Sequence, residues 1–193
     1  MARQSLEDEA LAGVTRWGSA ALLLVLAVWT WSFARTAMGP AVMESFLHLP
    51  DLVFHEAGHV IFSPFGRFMT VFGGSLTQVL IPIVLAVAFV RQGQPFSAAA
   101  CAWWAGQNLV DLAPYIADAR SLSLVLLGGR TGAEVEGHDW EFILMRLGAM
   151  HHDRTLGLAA HYGGLAVMVA SIAFGAWWLF RAPPESPALT SAP

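Results

Sequence analysis

Long uncharged stretches, each closed by a single arginine, constrain this chain more than any other feature. Trp17 to Ala34 carries no ionisable side chain and lies between Arg16 and Arg35. Phe68 to Val90 is likewise uncharged between Arg67 and Arg91, and Gln92 to Val110 follows without a charge. Thr155 to Phe180 carries only His161. A helix of roughly 20 apolar residues crosses the hydrocarbon core of a bilayer, so each stretch is long enough to be a span. Composition agrees: 56% of the residues are hydrophobic and 12% are charged, about half the charge of an ordinary soluble domain. These features predict an all-α polytopic membrane protein, a bundle of about four to five transmembrane helices in a bilayer, multi-pass and placed in the cell membrane.

Three segments follow from this pattern. Residues 1–16 form a polar N-terminal arm, 17–181 the membrane-embedded domain, and 182–193 a Pro-, Ser- and Ala-rich tail expected to be disordered. Trp29, Trp31 and Phe33 crowd the end of the first apolar stretch, where a cleaved leader needs small residues, so that stretch reads as a retained helix. The net charge of −4 and the absence of a basic stripe exclude nucleic acid as a partner. All ten basic residues are scattered arginines, which orient the N-terminus toward the cytoplasm only weakly. The single cysteine, Cys101, lies in an apolar run and offers neither a disulfide nor a thiolate metal site.

Between the spans, Pro50-Asp51 suits a helix start and Ser63-Pro64 a helix stop. Phe65 to Gly74, punctuated by glycine, is open to an extended conformation, and the third span runs from about Ser75 to Val90. Pro95 opens a helix that continues to about Arg120. His138 to Met150 reads as a short amphipathic helix with Phe142, Met145 and Leu147 on its apolar side.

Residues 55–59 read His-Glu-Ala-Gly-His. Positions four apart share a helical face, so His55 and His59 can direct imidazole nitrogens at one ion. Glu56 beside them can reach a water on the ion's open side, the arrangement of a helical zinc hydrolase with a carboxylate as general base. The bland alternative is two histidines and a glutamate pairing inside a helix bundle. Ionisable groups within apolar segments are costly and usually functional, which weighs against it.

A catalytic zinc takes three protein ligands and leaves a position for water. The third ligand has several candidates. Gln107, Asp111, Pro114 and Asp118 form a polar seam at helical spacing, and either aspartate suits the role. His138-Asp139 is the rival pair, although Asp139 also suits an N-cap. His151-His152 read as interface residues and His161 as a packing residue, while His48 lies in the connecting segment with no partner in view. Ser75, Thr77 and Gln78 add polarity to the third span, as helix–helix glue or cavity lining.

The HExxH motif on an apolar segment, followed by a later helix with Asn108 and then Asp118, resembles the site-2 protease family of intramembrane metalloproteases. The resemblance covers roughly residues 51–120 and takes in the glycines Gly66, Gly73 and Gly74. It implies one Zn2+ per chain held by His55, His59 and Asp118, with Glu56 activating water. It also implies Asn108 as a substrate contact and a membrane protein as substrate. The family's Asp-Gly pair stands here as Asp118-Ala119, and the expectation is of a minimal member without an appended regulatory domain. Two other readings carry different expectations. A membrane di-iron oxidase needs more grouped histidines than the pairs His55/His59 and His151/His152 supply, and an inactive scaffold keeps the fold without turnover.

Overall fold

The structure, a computed structural model, describes residues 2–181, with side chains from Gly13 onward. The tail expected over 182–193 lies outside the described residues. Seven α-helices follow in order: α1 (Ala2–Arg35), α2 (Pro40–Met43), α3 (His48–Phe62), α4 (Arg67–Arg91), α5 (Pro95–Ala117), α6 (Asp139–Arg146) and α7 (Asp153–Arg181). No strand occurs among the described residues, only an isolated bridge between Val125 and Thr131 in the α5–α6 loop.

Three helical segments are long and apolar enough to cross a membrane: Gly13–Arg35, Arg67–Arg91 and Met150–Arg181. Their outward faces carry exposed apolar side chains such as Leu24 and Val28, Val84 and Val87, and Val169 and Phe174. Helix α5, expected as a further span, is not among them. Gln107, Asn108 and Asp111 interrupt its apolar run, and it is the most enclosed helix of the group.

Within the polar arm, residues 2–16 are helical and run into the first span as the first turns of α1. The stretch from Phe65 to Gly74 is not extended: after a 3-10 turn over Ser63–Phe65, α4 begins at Arg67 and takes it in. Gly66, at φ 88°, makes the break between α3 and α4, a left-handed conformation that costs glycine nothing.

Small residues let the helices approach closely. A Cβ at Gly58 of α3 would lie 2.1 Å from the Gly73 carbonyl of α4, so these two backbones touch. The most extensive pairing is α5 with α7. There Gly106 faces Gly164, and a Cβ at Gly164 would come within 2.4 Å of the Gly106 carbonyl. Close backbone approach of this kind is how helices associate where burial against water supplies no driving force. Two indoles, Trp103 buried and Trp104 half-buried, fasten the rest. Trp103 donates to Thr30 Oγ1 of α1 at 2.8 Å, and Trp104 donates to Asp51 Oδ1 of α3 at 2.8 Å. At the surface Arg120 meets Asp153 at 2.7 Å, joining the end of α5 to the start of α7.

Candidate metal centre

Helix α3 presents His55 and His59 one turn apart, with ring centroids 4.9 Å from each other. Each ring is fixed from behind. His55 Nδ1–H donates to Gln78 Oε1 of α4 at 2.9 Å, and His59 Nδ1–H donates to the Thr70 carbonyl at 2.9 Å. Both rings therefore turn Nε2 forward. The glycine face of α4 makes room for them, since a Cβ at Gly74 would lie 2.6 Å from His59 Cε1 and 2.7 Å from His55 Nε2.

Asp139 meets them from α6. Its Oδ2 lies 2.9 Å from His55 Nε2 and 3.2 Å from His59 Nε2. One ligand atom from each of the three residues lies within 4.8 Å of the others, a group that could hold a metal ion. Zinc bonded to imidazole at about 2.0–2.1 Å has tetrahedral ligand atoms about 3.3 Å apart, close to the spacing found here. Two imidazoles and a carboxylate also suit zinc chemically. Burial works against ionising Asp139, but hydrogen bonds from His55 and His59 outweigh it and hold the carboxyl below its usual range. The bond to Asp139 in turn pushes His59 up to about 9.

The local sequence explains why Asp139 points inward. His138 is the N-cap of α6, in an extended conformation, and its Nδ1 accepts from the Glu141 N–H at 3.2 Å. Asp139 is thus released from the capping role and sits in the first turn. Its own N–H donates to Tyr115 Oη at 2.9 Å, and Trp140 Nε1 donates to Ser75 Oγ at 3.1 Å, which docks α6 on α5 and α4. Ile143 and Leu144 are the buried apolar residues of α6. Met145 and Leu147, expected on that side, are exposed, and the Phe142 ring lies under the Arg67 guanidinium at 4.9 Å.

Asp118, the third ligand implied by the resemblance, is not brought to the histidines. It ends α5 and binds its own turn, accepting from Ser121 Oγ at 2.6 Å, Ser123 N at 3.0 Å, Ser123 Oγ at 2.8 Å and Leu124 N at 3.0 Å. Burial opposes its ionisation, yet these donors hold its carboxyl below the ordinary range. His138 Nε2 stands 3.5 Å from it, too far for a good hydrogen bond.

Asn108 is also absent from the site. It is buried in α5, where Nδ2 donates to the Trp104 carbonyl one turn back at 2.9 Å. Asp111, the other seam aspartate, faces the site without joining the ligand group. His48 Nδ1–H bridges both of its oxygens at 3.0 Å, and Gln78 Nε2 donates to Oδ2 at 3.0 Å. His151 and His152 lie against each other in an exposed turn, with ring centroids 3.8 Å apart and planes tilted by 44°. His161 is buried within α7, and its Nδ1 lacks a hydrogen bond among the described residues.

A cavity of about 420 Å³ opens in front of the three ligands. Glu56, exposed on α3, lines it together with His48, Asp111 and Tyr115. The α5–α6 loop supplies an apolar wall from Val125 and Leu127, both largely exposed. Tyr115 was not singled out in the sequence, although it lies one turn after Asp111 on the same face of α5. The arrangement offers two imidazoles, a carboxylate ligand, a free carboxylate nearby and an apolar wall.

Comparison of the chain with protein-family models, with curated proteins and with solved structures finds no match.

Proposed function

We propose that the chain is an intramembrane zinc metalloprotease that hydrolyses peptide bonds of membrane protein substrates. The observation that carries this reading is the convergence of Asp139 Oδ2 on both Nε2 atoms of an HExxH helix, with Glu56 beside them in an open cavity. The resemblance to the site-2 protease family supports it through His55, Glu56 and His59. The third ligand of this reading is Asp139.

In this proposal α1, α4 and α7 cross the membrane as a multi-pass bundle with α5 enclosed among them. Gly74, which backs the histidines, is seven residues into α4 from Arg67, or about 10 Å of helix. The centre then lies within one leaflet, below the surface marked by that arginine. A zinc ion held by His55, His59 and Asp139 would supply Lewis acidity and make water more acidic near neutral pH. Glu56 takes a proton from the attacking water and delivers it to the leaving amine. Val125 and Leu127 seat an apolar stretch of substrate. That substrate must unwind locally, because a helical peptide bond is shielded by its own backbone hydrogen bonds.

The second histidine pair, in its exposed turn, is not part of the ligand group, which favours a single metal over a di-iron centre. The test uses purified protein in vesicles with a panel of single-span substrates. Glu56→Gln keeps its zinc and loses cleavage by about 10²–10⁴-fold, the usual weight of a general base. Undiminished turnover by Glu56→Gln contradicts the proposal.

A further inference from the structure

Four buried or half-buried polar side chains form a closed circuit behind the metal centre. His48 of α3 donates through Nδ1 to Asp111 of α5. Gln78 of α4 donates through Nε2 to the same carboxylate, and His55 of α3 donates through Nδ1 to Gln78 Oε1. The circuit leaves α3, passes through α5 and α4, and returns to α3 seven residues later. Gln78 and Asp111 are 2% and 3% exposed, deep among apolar helices. Buried polar groups in such a setting are expensive unless they serve a purpose.

Their order along the circuit is directional. An ionised carboxylate can only accept, so Asp111 admits only the NH2 end of the Gln78 amide. The carbonyl end then faces His55, and a carbonyl can only accept. Nδ1 of His55 must therefore keep its proton, so Nε2, which donates to Asp139 in the ion-free centre, is the atom that gives up its proton and offers a lone pair to an ion. With the amide turned over, its NH2 would demand a lone pair at Nδ1 and put the proton on Nε2. His59 is not exposed to this ambiguity, because its Nδ1–H is held by a backbone carbonyl that cannot turn over.

Resting on the metal-centre reading above, we propose that Asp111, acting through Gln78, is a positioning residue that sets the tautomer of His55 so that Nε2 is free to bind zinc. Outer partners of ligating histidines commonly contribute 10–100-fold to metal affinity. The circuit is a carboxylate–amide–imidazole version of that arrangement, with His48 holding the far side of the carboxylate.

The test measures the zinc dissociation constant by chelator competition in detergent-purified protein, alongside 15N NMR of histidine-labelled, zinc-loaded protein. Gln78→Leu weakens zinc by about 10–100-fold. Asp111→Asn, which keeps size but removes the charge facing His48 and with it the directionality, weakens it by about tenfold and mixes the His55 signals. The exchange Gln78→Glu with Asp111→Asn restores direction, since the glutamate accepts from both His55 and the asparagine amide. That double variant recovers affinity toward wild type. Gln107→Met, at a buried polar position of α5 outside the circuit, leaves affinity unchanged.

If Gln78→Leu does not fold, Asp111→Asn and the double variant decide. Zinc binding by Asp111→Asn within twofold of wild type, with unchanged His55 signals, overturns the inference. Failure of the double variant to recover overturns it as well. A wild-type protein that binds no zinc instead defeats the metal reading on which the inference rests.

Discussion

Gly74 and His59 are in direct register across the α3–α4 crossing, so that a methyl group on Gly74 would come within 2.6 Å of the imidazole Cε1. His55 Nε2 would be 2.7 Å from the same methyl. One glycine on α4 thus sets the position of both rings. Gly74→Ala turns the imidazoles away from Asp139, and zinc affinity falls by at least about tenfold, or 1.4 kcal/mol. Gly163→Ala on α7, where a Cβ meets nothing within 4 Å, is the matched control and leaves zinc affinity unchanged. Chelator competition on the two purified variants makes the comparison.

Asp118 and Asp139 separate stability from metal binding. Asp118→Ala leaves two backbone N–H groups without their acceptor, the buried one of Leu124 and the half-buried one of Ser123. Hydrogen bonds to charged groups are each worth about 1.5–3 kcal/mol, so the variant unfolds at lower temperature, with a loss of about 2–4 kcal/mol. Its zinc content stays at the wild-type level. Thermal unfolding in detergent checks the first outcome and elemental analysis the second.

The zinc-free protein carries a pH signature at His59. Its hydrogen bond to Asp139 raises it from about 6.5 to about 9. A group raised in the folded state contributes stability that is fully present below about 6.5 and fades as pH climbs to about 9. Zinc-free protein therefore loses stability across that window. Zinc must displace the shared proton, so zinc affinity rises over the same range and falls in acid. Unfolding curves of zinc-free protein at pH 6 and pH 9, with zinc titrations beside them, give the two opposite trends. Parallel trends contradict the coupling of His59 to Asp139.

What the sequence discloses follows from how local each feature is. His55, Glu56 and His59 are legible because one turn of helix is enough to bring them together. The long uncharged stretches around α1, α4 and α7 are legible for the same reason, since length and composition decide them. Asp139 lies far along the chain and reaches the histidines only through the docking of α6 by Tyr115 and Ser75. Its alternative as an N-cap is equally plausible from sequence, until His138 is seen to take that role. Asp118 misleads because its spacing along the seam says nothing of the loop that binds it.

The start of α4 was obscured differently. Gly73 and Gly74 lower helix propensity, and the stretch around them reads as extended. Tertiary packing reverses this, because those glycines are where α3 and its histidines touch α4. The phase of α6 shows the same effect. Its buried side is fixed by the Trp140–Ser75 bond, which turns Ile143 and Leu144 inward and leaves Met145 and Leu147 outside.

Metal content of the purified protein tests the account most directly. Wild-type protein isolated under native conditions is expected to carry one zinc per chain, and Asp118→Ala to carry the same. His55→Ala and Asp139→Ala are expected to carry none while remaining folded. A full complement of zinc in Asp139→Ala, or a wild-type protein without metal after incubation with zinc, would contradict it.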